Sequence, residues 1–349
     1  MLRRLSILEE VFLTARQREN LLPSKIVLVY PSYMPFIQRD YRILSSHHIV
    51  VRLEYNRRGL PRFLLWSIYR IICADIVLAW YSGLHALICI LIAKFFRKKS
   101  IVILGGGEVA ALRHIRYGSA SSIVPSLVAK IPLMLADRVI AVHSSLVVKA
   151  AKELRVSTKN MLVIPLGFDY EATTDNTEKE NLVLTVALAN SWPRALVKGL
   201  DIFSKVAWLI PDCRFVIIGV SPEIARALKS VGPANLEVYG PMPWSQVTEY
   251  FRKAKVYCQF SLFEGFGSAL AEAMLYKCVP VGSPNGAIPS IIGDSGFIVP
   301  LDNDAQIATS VRKALNADLG ERARNRIIKL FPLERRKRDL LRIIDELSS

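Results

Sequence analysis

Phe263 to Ser283 reads FEGFGSALAEAMLYKCVPVGS, and the fold turns on how this stretch is read. Val256 to Phe263 predicts a strand that runs into a tight glycine loop, Glu264-Gly265-Phe266-Gly267. A helix is predicted from Ser268 to about Lys277, then a second short strand from Val279 to Gly282. The two glycines let the backbone turn sharply and approach a ligand, with Ser268 placed as the helix cap. A helix start offers unpaired N–H groups and the positive end of a dipole, which favours a phosphate or diphosphate. Glu264 in the loop and Glu272 one turn into the helix frame that anion site. Carboxylates are poor phosphate ligands but good acceptors for hydroxyls on either side of one, such as those of a sugar and a ribose.

Outward from this unit, apolar strands alternate with helices. Before it, strands are predicted at Lys25 to Tyr30, His48 to Tyr55, Asp75 to Tyr81, Ser100 to Leu104, Arg138 to Val142 and Met161 to Pro165. Between them lie helices at about Pro35 to Ser46, Pro61 to Cys73, Leu84 to Phe96 and Ile123 to Leu135, and one beginning near Ser144. A polar stretch, Glu171 to Asn181, has neither periodicity nor large apolar residues and reads as a linker. A second series follows, with strands at Leu182 to Ala187, Cys213 to Val220, Leu236 to Tyr239 and Gly296 to Pro300 around the signature unit. Its helices are Leu200 to Leu209, Glu223 to Ser230, Ser245 to Ala254, about Asp304 to Leu315, and a basic terminal one, Leu333 to Leu347. Such a pattern implies mostly parallel sheets covered on both faces, with ligands at the carboxyl ends of the strands.

With 349 residues the chain has room for two full cores. The five cysteines are widely spaced in apolar contexts and read as reduced core residues, not a disulfide framework or a zinc site. The net charge of +16 is uneven: residues 1–180 hold 25 Lys and Arg against 14 Asp and Glu, the remainder 21 against 16. A basic first half suits an anionic partner such as a membrane surface or lipid phosphate, or is simply a solvated face. Nucleic acid is not expected as a partner, because no recognisable binding motif accompanies the charge. Met1 to Glu10 (MLRRLSILEE) carries acids where a signal peptide needs an apolar core, and no run reaches spanning length. The expected location is therefore cytoplasmic, with peripheral contact at the inner membrane face as an option. Gly83 to Phe96 is the longest apolar stretch, either a buried helix or a membrane-grazing one. Residues 1–24 predict a basic amphipathic leader helix that lies on an anionic bilayer or packs on the domain behind it.

The spacing of Glu264 and Glu272 within FEGFGSALAEAML resembles the signature of glycosyltransferase family 4, whose members have the two-domain GT-B fold. That resemblance implies an α/β architecture of two Rossmann-like doubly wound domains facing a cleft. The acceptor-side domain would span residues 1–170, the linker 171–181 and the donor domain 182–332, with residues 333–349 as a helix packing back on the first domain. Lys198 and Gly199 in VKGLDIF resemble the family's K-G-x-D, where the lysine reaches the donor diphosphate. Val163 to Asp169 (VIPLGFD) resembles the end of the family's first domain, and Gly240 in VYGPMP a loop near the nucleotide base. Two departures stand out. Ala187 to Asn190 replaces the usual Gly-Arg, leaving Arg194 as the nearest guanidinium, and Pro31-Ser32-Tyr33 replaces a glycine-rich loop. Gly105, Gly106 and Glu108 in GGGE are acceptor-side candidates, Glu108 equally readable as a helix-cap neighbour. His114, between Arg113 and Arg116, reads as a surface residue, and Asp302-Asn303-Asp304 as a helix cap instead of a metal motif.

What the family implies is retaining transfer of a sugar from a nucleotide diphosphate sugar to an acceptor hydroxyl on a glycan, polysaccharide precursor or lipid-linked molecule. Glu264, Lys198 and Arg194 would act at the reacting centre; Gly240, Gly265, Phe266, Gly267, Ser268 and Glu272 would bind the donor. No metal or cofactor is expected beyond the donor itself. A nucleotide-sugar epimerase and a non-catalytic GT-B binding partner are the alternatives.

Overall fold

The structure is a computed structural model that describes residues 23–170 and 177–349. The expected leader helix therefore lies outside the described residues, apart from its last two positions, as does most of the expected linker. Apolar strands form the first sheet: β1 (Lys25–Tyr30), β2 (Ile49–Glu54), β3 (Ile76–Trp80), β4 (Lys99–Leu104), β5 (Arg138–Ala141) and β6 (Met161–Val163). They pair in parallel in the order β2-β1-β3-β4-β5-β6. Ile26 to Val29, Ile76 to Ala79 and Ile101 to Leu104 are fully buried, which is why they read as continuous apolar runs without alternation. The connecting helices are α1 (Pro35–Ser45), α2 (Leu60–Ile72), α3 (Leu84–Phe95), α4 (Ile123–Leu135) and α5 (Ser144–Lys149).

The second sheet contains β7 (Glu180–Ala189), β8 (Arg214–Val220), β9 (Leu236–Tyr239), β10 (Ala254–Gln259), β11 (Val279–Gly282) and β12 (Phe297–Ile298), in the order β12-β11-β10-β7-β8-β9. Its helices are α6 (Trp192–Val197), α7 (Leu200–Leu209), α8 (Pro222–Val231), α9 (Trp244–Lys253), α10 (Ser268–Leu275), α11 (Ile288–Ile292), α12 (Asp304–Asn316), α13 (Gly320–Leu330) and α14 (Leu333–Ser348). The two-sheet α/β architecture is the one expected. Some details differ. β7 begins at Glu180, inside the stretch read as polar linker, and runs to Ala189 through a register shift between Val186 and Ala189. β10 ends at Gln259, so Phe260 to Gly267 is all loop. The short helices α6 and α11 and the polar α13 have too few apolar positions in register to announce themselves. Cys73 is exposed, unlike the other four cysteines, which are buried.

One joint ties the end of the chain to the first sheet. Arg336 on α14 is 2% exposed and donates to both carboxylate oxygens of Asp40 on α1 at 2.6 Å. Its remaining N–H groups reach the carbonyls of Ile164 (3.0 Å) and Pro165 (2.9 Å), and Trp80 Nε1 donates to Asp40 at 3.0 Å. Beside it, Phe168 N donates to Phe331 O and Leu333 N to Phe168 O, stitching the segment that leaves the first sheet to the one that returns.

Candidate functional site

The strand order of the second sheet reverses between β7 and β10, and the carboxyl ends of two such strands leave a crevice where their loops part. The two loops are laced together there. Leu262 N donates to Val197 O at 2.8 Å, and Gly199, at φ 66°, passes so close to Phe260 that a Cβ would overlap its carbonyl oxygen. Only glycine suits that position. This lacing brings Lys198 Nζ within 2.6 Å of Glu264 Oε2, both side chains largely shielded from solvent. Gln259 Nε2 (3.3 Å) and Ser261 Oγ (3.4 Å) also donate to Glu264 Oε2, and Ala287 N holds the Glu264 carbonyl at 3.2 Å.

Immediately after Glu264 the chain turns into α10. Gly267, at φ 93°, is its cap, and a glycine brings no side chain to bond the first amides. Ser268 is thus the first helical residue and not the expected cap, because a left-handed glycine already sets the entry. With no side chain bonded to them, the first amides of α10 are open to an anion.

Across the crevice stands the carboxyl end of β4. A Cβ on Gly265 would overlap the carbonyl oxygen of Gly105, and one on Gly106 (φ 135°) would lie 3.0 Å from Gly265 Cα. The FEGFG and GGGE loops therefore meet backbone to backbone. Glu108 does not face the crevice. Its buried carboxylate accepts from the amides of Ser82 (3.3 Å), Gly105 (3.0 Å) and Gly106 (2.7 Å), and so holds the glycine turn. Burial pushes its pKa up while those amides pull it down.

Tyr81 is a site residue that sequence reasoning missed. It follows β3 in a left-handed conformation (φ 68°), a costly one for a tyrosine, with its ring against Gly105. Burial and the neighbouring Glu108 raise its phenol pKa, and Arg194 lowers it. Arg194, on α6, is exposed, and its guanidinium has no hydrogen-bond or ion-pair partner among the described residues. Gly240 lies exposed after β9, while Phe266 is buried, stacked on Phe168 (5.8 Å) and edge-on to Phe331 (5.2 Å). The Phe266 ring thus packs the joint between the domains, leaving only its backbone for a ligand.

Glu272 is 7% exposed and paired with Arg39 of α1, whose guanidinium also lies 5.0 Å from the Phe168 ring centroid. Burial raises the Glu272 pKa; Arg39 lowers it. Arg39 is the second residue that sequence reasoning missed. Among the described residues no three His, Cys, Asp or Glu side chains gather as a metal site, and Asn303 accepts from Gln306 N at 3.0 Å as the cap of α12. His114 is exposed.

Comparison with known proteins agrees with this geometry. The profile of glycosyl transferases group 1 matches residues 169–329. Over 216 residues, 58% of each chain, the sequence is 28% identical to a Campylobacter jejuni GalNAc-alpha-(1->4)-GalNAc-alpha-(1->3)-diNAcBac-PP-undecaprenol alpha-1,4-N-acetyl-D-galactosaminyltransferase. It is 25% identical to trehalose synthase of Thermococcus litoralis, over 61% of this chain and 53% of that protein. The chain thus spans little more than half the length of these curated relatives. Among solved structures, Anabaena Alr3699/HepE in complex with UDP-glucose superposes with a TM-score of 0.75 at 14% identity, covering 93% of this chain and 100% of that one. Sucrose-phosphate synthase from Thermosynechococcus elongatus gives 0.72 at 15% identity, over 93% and 99%. Two parallel sheets whose glycine loops meet across a crevice give the described chain the GT-B fold, and the segment that supplies the Glu264, Lys198 and α10 side of that crevice is the one that resembles the group 1 glycosyl transferases.

Proposed function

We propose that the protein is a retaining glycosyltransferase that moves a sugar from a nucleotide diphosphate sugar to an acceptor hydroxyl. The observation that carries this reading is the Lys198–Glu264 pair at the switch point, beside the open amino end of α10. A nucleotide diphosphate sugar offers an anion for the amides near Gly267 and Ser268 and hydroxyls for carboxylates on either side. Lys198 has three donors, so it can keep Glu264 and still donate to a phosphate oxygen. As the bond between the anomeric carbon and the phosphate oxygen breaks, charge grows on the leaving diphosphate. Lys198, the α10 amides and Arg194 would stabilise it. Glu264 would orient the donor sugar, and Glu272, held by Arg39, the ribose diol. The acceptor hydroxyl would enter over Gly105 and Gly106, with Glu108 positioning that turn and Tyr81 beside it. The leaving group is already good, so no glycosidase-like general acid is needed, and no metal is required in this scheme.

On the acceptor side, a glycan or a lipid-linked molecule at an anionic membrane surface fits the basic first half and a peripheral location in the cytoplasm. The Campylobacter relative acts, by its name, on an undecaprenol-linked saccharide. Among the described residues no helix is long and apolar enough to cross a membrane.

A thermal-shift screen against UDP, GDP, ADP and CDP sugars, with and without magnesium, tests the donor reading. Stabilisation by one nucleotide diphosphate sugar in either condition is expected, and no shift with any of them would sink it. A second reading, a non-catalytic binding partner, is favoured by one observation: β7 continues through Ala187 to Ala189 where the family resemblance leads one to expect Gly-Arg. Donor binding with neither transfer nor hydrolysis would select it.

A further inference from the structure

One face of the first domain is apolar in a way that neither the core nor the crevice explains. α2, α3 and α4 lie side by side, α3 packing against both of its neighbours. Their outward sides are large and hydrophobic. On α2 these are Leu64, Leu65, Trp66, Tyr69 and Ile72; on α3, Leu84, Leu91 and Phe95; on α4, Ile123, Val124, Leu127 and Met134. Leu65 is 69% exposed, Phe95 81% and Ile123 79%, values that belong to protruding side chains and not to the margins of a core. Single exposed apolar residues are ordinary, but a contiguous face across three helices marks an interaction surface.

The surrounding charge identifies the partner. No Asp or Glu occurs in any of the three helices. From Arg58 to Arg138 there are 11 Lys and Arg against three acids, Asp75, Glu108 and Asp137. All three acids are spoken for: Asp75 accepts from Lys25 N, Glu108 is buried under three amides, and Asp137 binds Lys94 and Ser100. Arg58 and Arg62 at the start of α2, Arg97 and Lys99 after α3, and Arg113 and Arg116 ahead of α4 are all exposed. Arg70 lies over the rings of Trp66 and Tyr69 at 5.0 and 5.7 Å. Amphipathic aromatics beside arginine, on an apolar surface with only cations around it, suit the boundary between lipid headgroups and acyl chains. A protein partner would need an acidic rim around an apolar centre; an anionic bilayer supplies both everywhere.

We propose that the α2–α3–α4 face docks the protein on an anionic lipid bilayer. Helices in a parallel sheet run opposite to its strands, so the amino ends of these helices, with Leu60, Leu84 and Ile123, lie at the same edge as Tyr81 and Gly105. The bilayer would then reach the acceptor side of the crevice, where a lipid-linked acceptor could present its headgroup. That consequence rests on the transferase reading; the docking itself does not.

The test is co-sedimentation of the full chain with phosphatidylglycerol or phosphatidylcholine vesicles, compared with a Leu65→Glu/Phe95→Glu/Ile123→Glu variant. All three side chains point into solvent, so folding should persist, checked by an unchanged melting curve. Wild type is expected to pellet with phosphatidylglycerol, about tenfold less well with phosphatidylcholine or high salt, and the variant about tenfold less well than wild type. Quenching of Trp66 by brominated lipid, lost in Trp66→Phe, would place this face at the bilayer. The proposal is overturned if the variant binds vesicles like wild type, which would put the contact elsewhere, for instance in residues 1–22. It is equally overturned if wild type ignores vesicles and sediments as a dimer that the variant lacks. Vesicle binding without any nucleotide-sugar thermal shift would keep the docking surface and remove the transferase reading; the reverse result would do the opposite.

Discussion

Arg39 and Glu272 join the two domains by an ion pair between α1 and α10. The Arg39 guanidinium, resting on the Phe168 ring, donates to Glu272 Oε1, and Arg39 Nη1 is buried without a hydrogen-bond partner among the described residues. The carboxylate that a ribose diol would use is therefore oriented by a residue of the opposite domain. If Glu272 binds the donor as proposed, donor binding and the relation between the domains are linked at one side chain.

Arg39→Ala should accordingly cost both stability and donor affinity. Removing one partner of a fully buried pair costs roughly 3–5 kcal/mol; Arg39 keeps some solvent contact, so roughly 2 kcal/mol is expected here. Burial alone would then favour the protonated Glu272, a weaker acceptor for hydroxyls. Calorimetry should show donor affinity reduced about tenfold, an effect of roughly 1.4 kcal/mol. Glu272→Ala should weaken it similarly, and the double variant should lose little more than either single one. Additive losses would mean that Arg39 does not act through Glu272.

Lys198→Ala is expected to lower kcat by about 10²-fold or more, in line with loss of one preorganised donor at a charge that grows in the transition state. Donor dissociation should change less than turnover. Initial-rate kinetics over a range of donor concentrations separates the two, and an unchanged kcat would remove the role assigned to this ammonium. Arg194→Ala offers a parallel measurement at a side chain with no hydrogen bond or ion pair to lose among the described residues, so a fall in rate there would point to the guanidinium itself.

The Asp40–Arg336 joint predicts a contrast in stability. Asp40→Leu strands a guanidinium that is 2% exposed and should cost roughly 3–5 kcal/mol in chemical denaturation. Asp40→Leu combined with Arg336→Met removes both charges and should recover most of that loss, although the carbonyls of Ile164 and Pro165 lose their donors. If the double variant were as unstable as Asp40→Leu alone, the damage would lie in packing around Trp80 and not in the unpaired charge.

The second sheet and its loop were legible because their signals are local. Gly265, Gly267 and the two Glu stand within nine residues of one another, and β7 to β9 are followed by Asn190, Ser221 and Gly240, polar or glycine positions that mark where each apolar run stops. What escaped was what the chain assembles from afar. Arg39 meets Glu272 across 233 residues, and nothing in PFIQRDYRILS says which way its side chain reaches. Tyr81 takes a left-handed turn that a sequence leads one to expect of glycine or asparagine. Glu108 and Phe266 carry motif-like neighbours, yet both side chains turn inward, one to hold a turn and the other to fill the joint. A motif fixes which backbone approaches the ligand more firmly than where its side chains point.

His143 should make the contact between domains sensitive to mild acid. Ser290 Oγ donates to Ala287 O at 2.7 Å, so it can accept from His143 Nε2–H, 2.7 Å away. That leaves Nδ1 as the acceptor for Ser145 N (3.2 Å) at the start of α5, which requires the neutral ring. Burial agrees, holding the His143 pKa below its ordinary value. With the folded pKa depressed, the stabilisation is complete above the unfolded value of about 6.5 and is lost as pH falls from there toward the folded pKa. Half-buried His48 and buried His85 shift in the same direction, so the wild-type melting temperature alone cannot isolate the effect. His143→Asn can: asparagine still caps α5 but does not titrate. The wild type should lose roughly 1 kcal/mol more than this variant between pH 7.5 and 5, on the scale of one capping interaction. Parallel pH profiles for the two proteins would show that His143 stays neutral throughout, or that its bond to Ser290 carries no weight in holding the domains together.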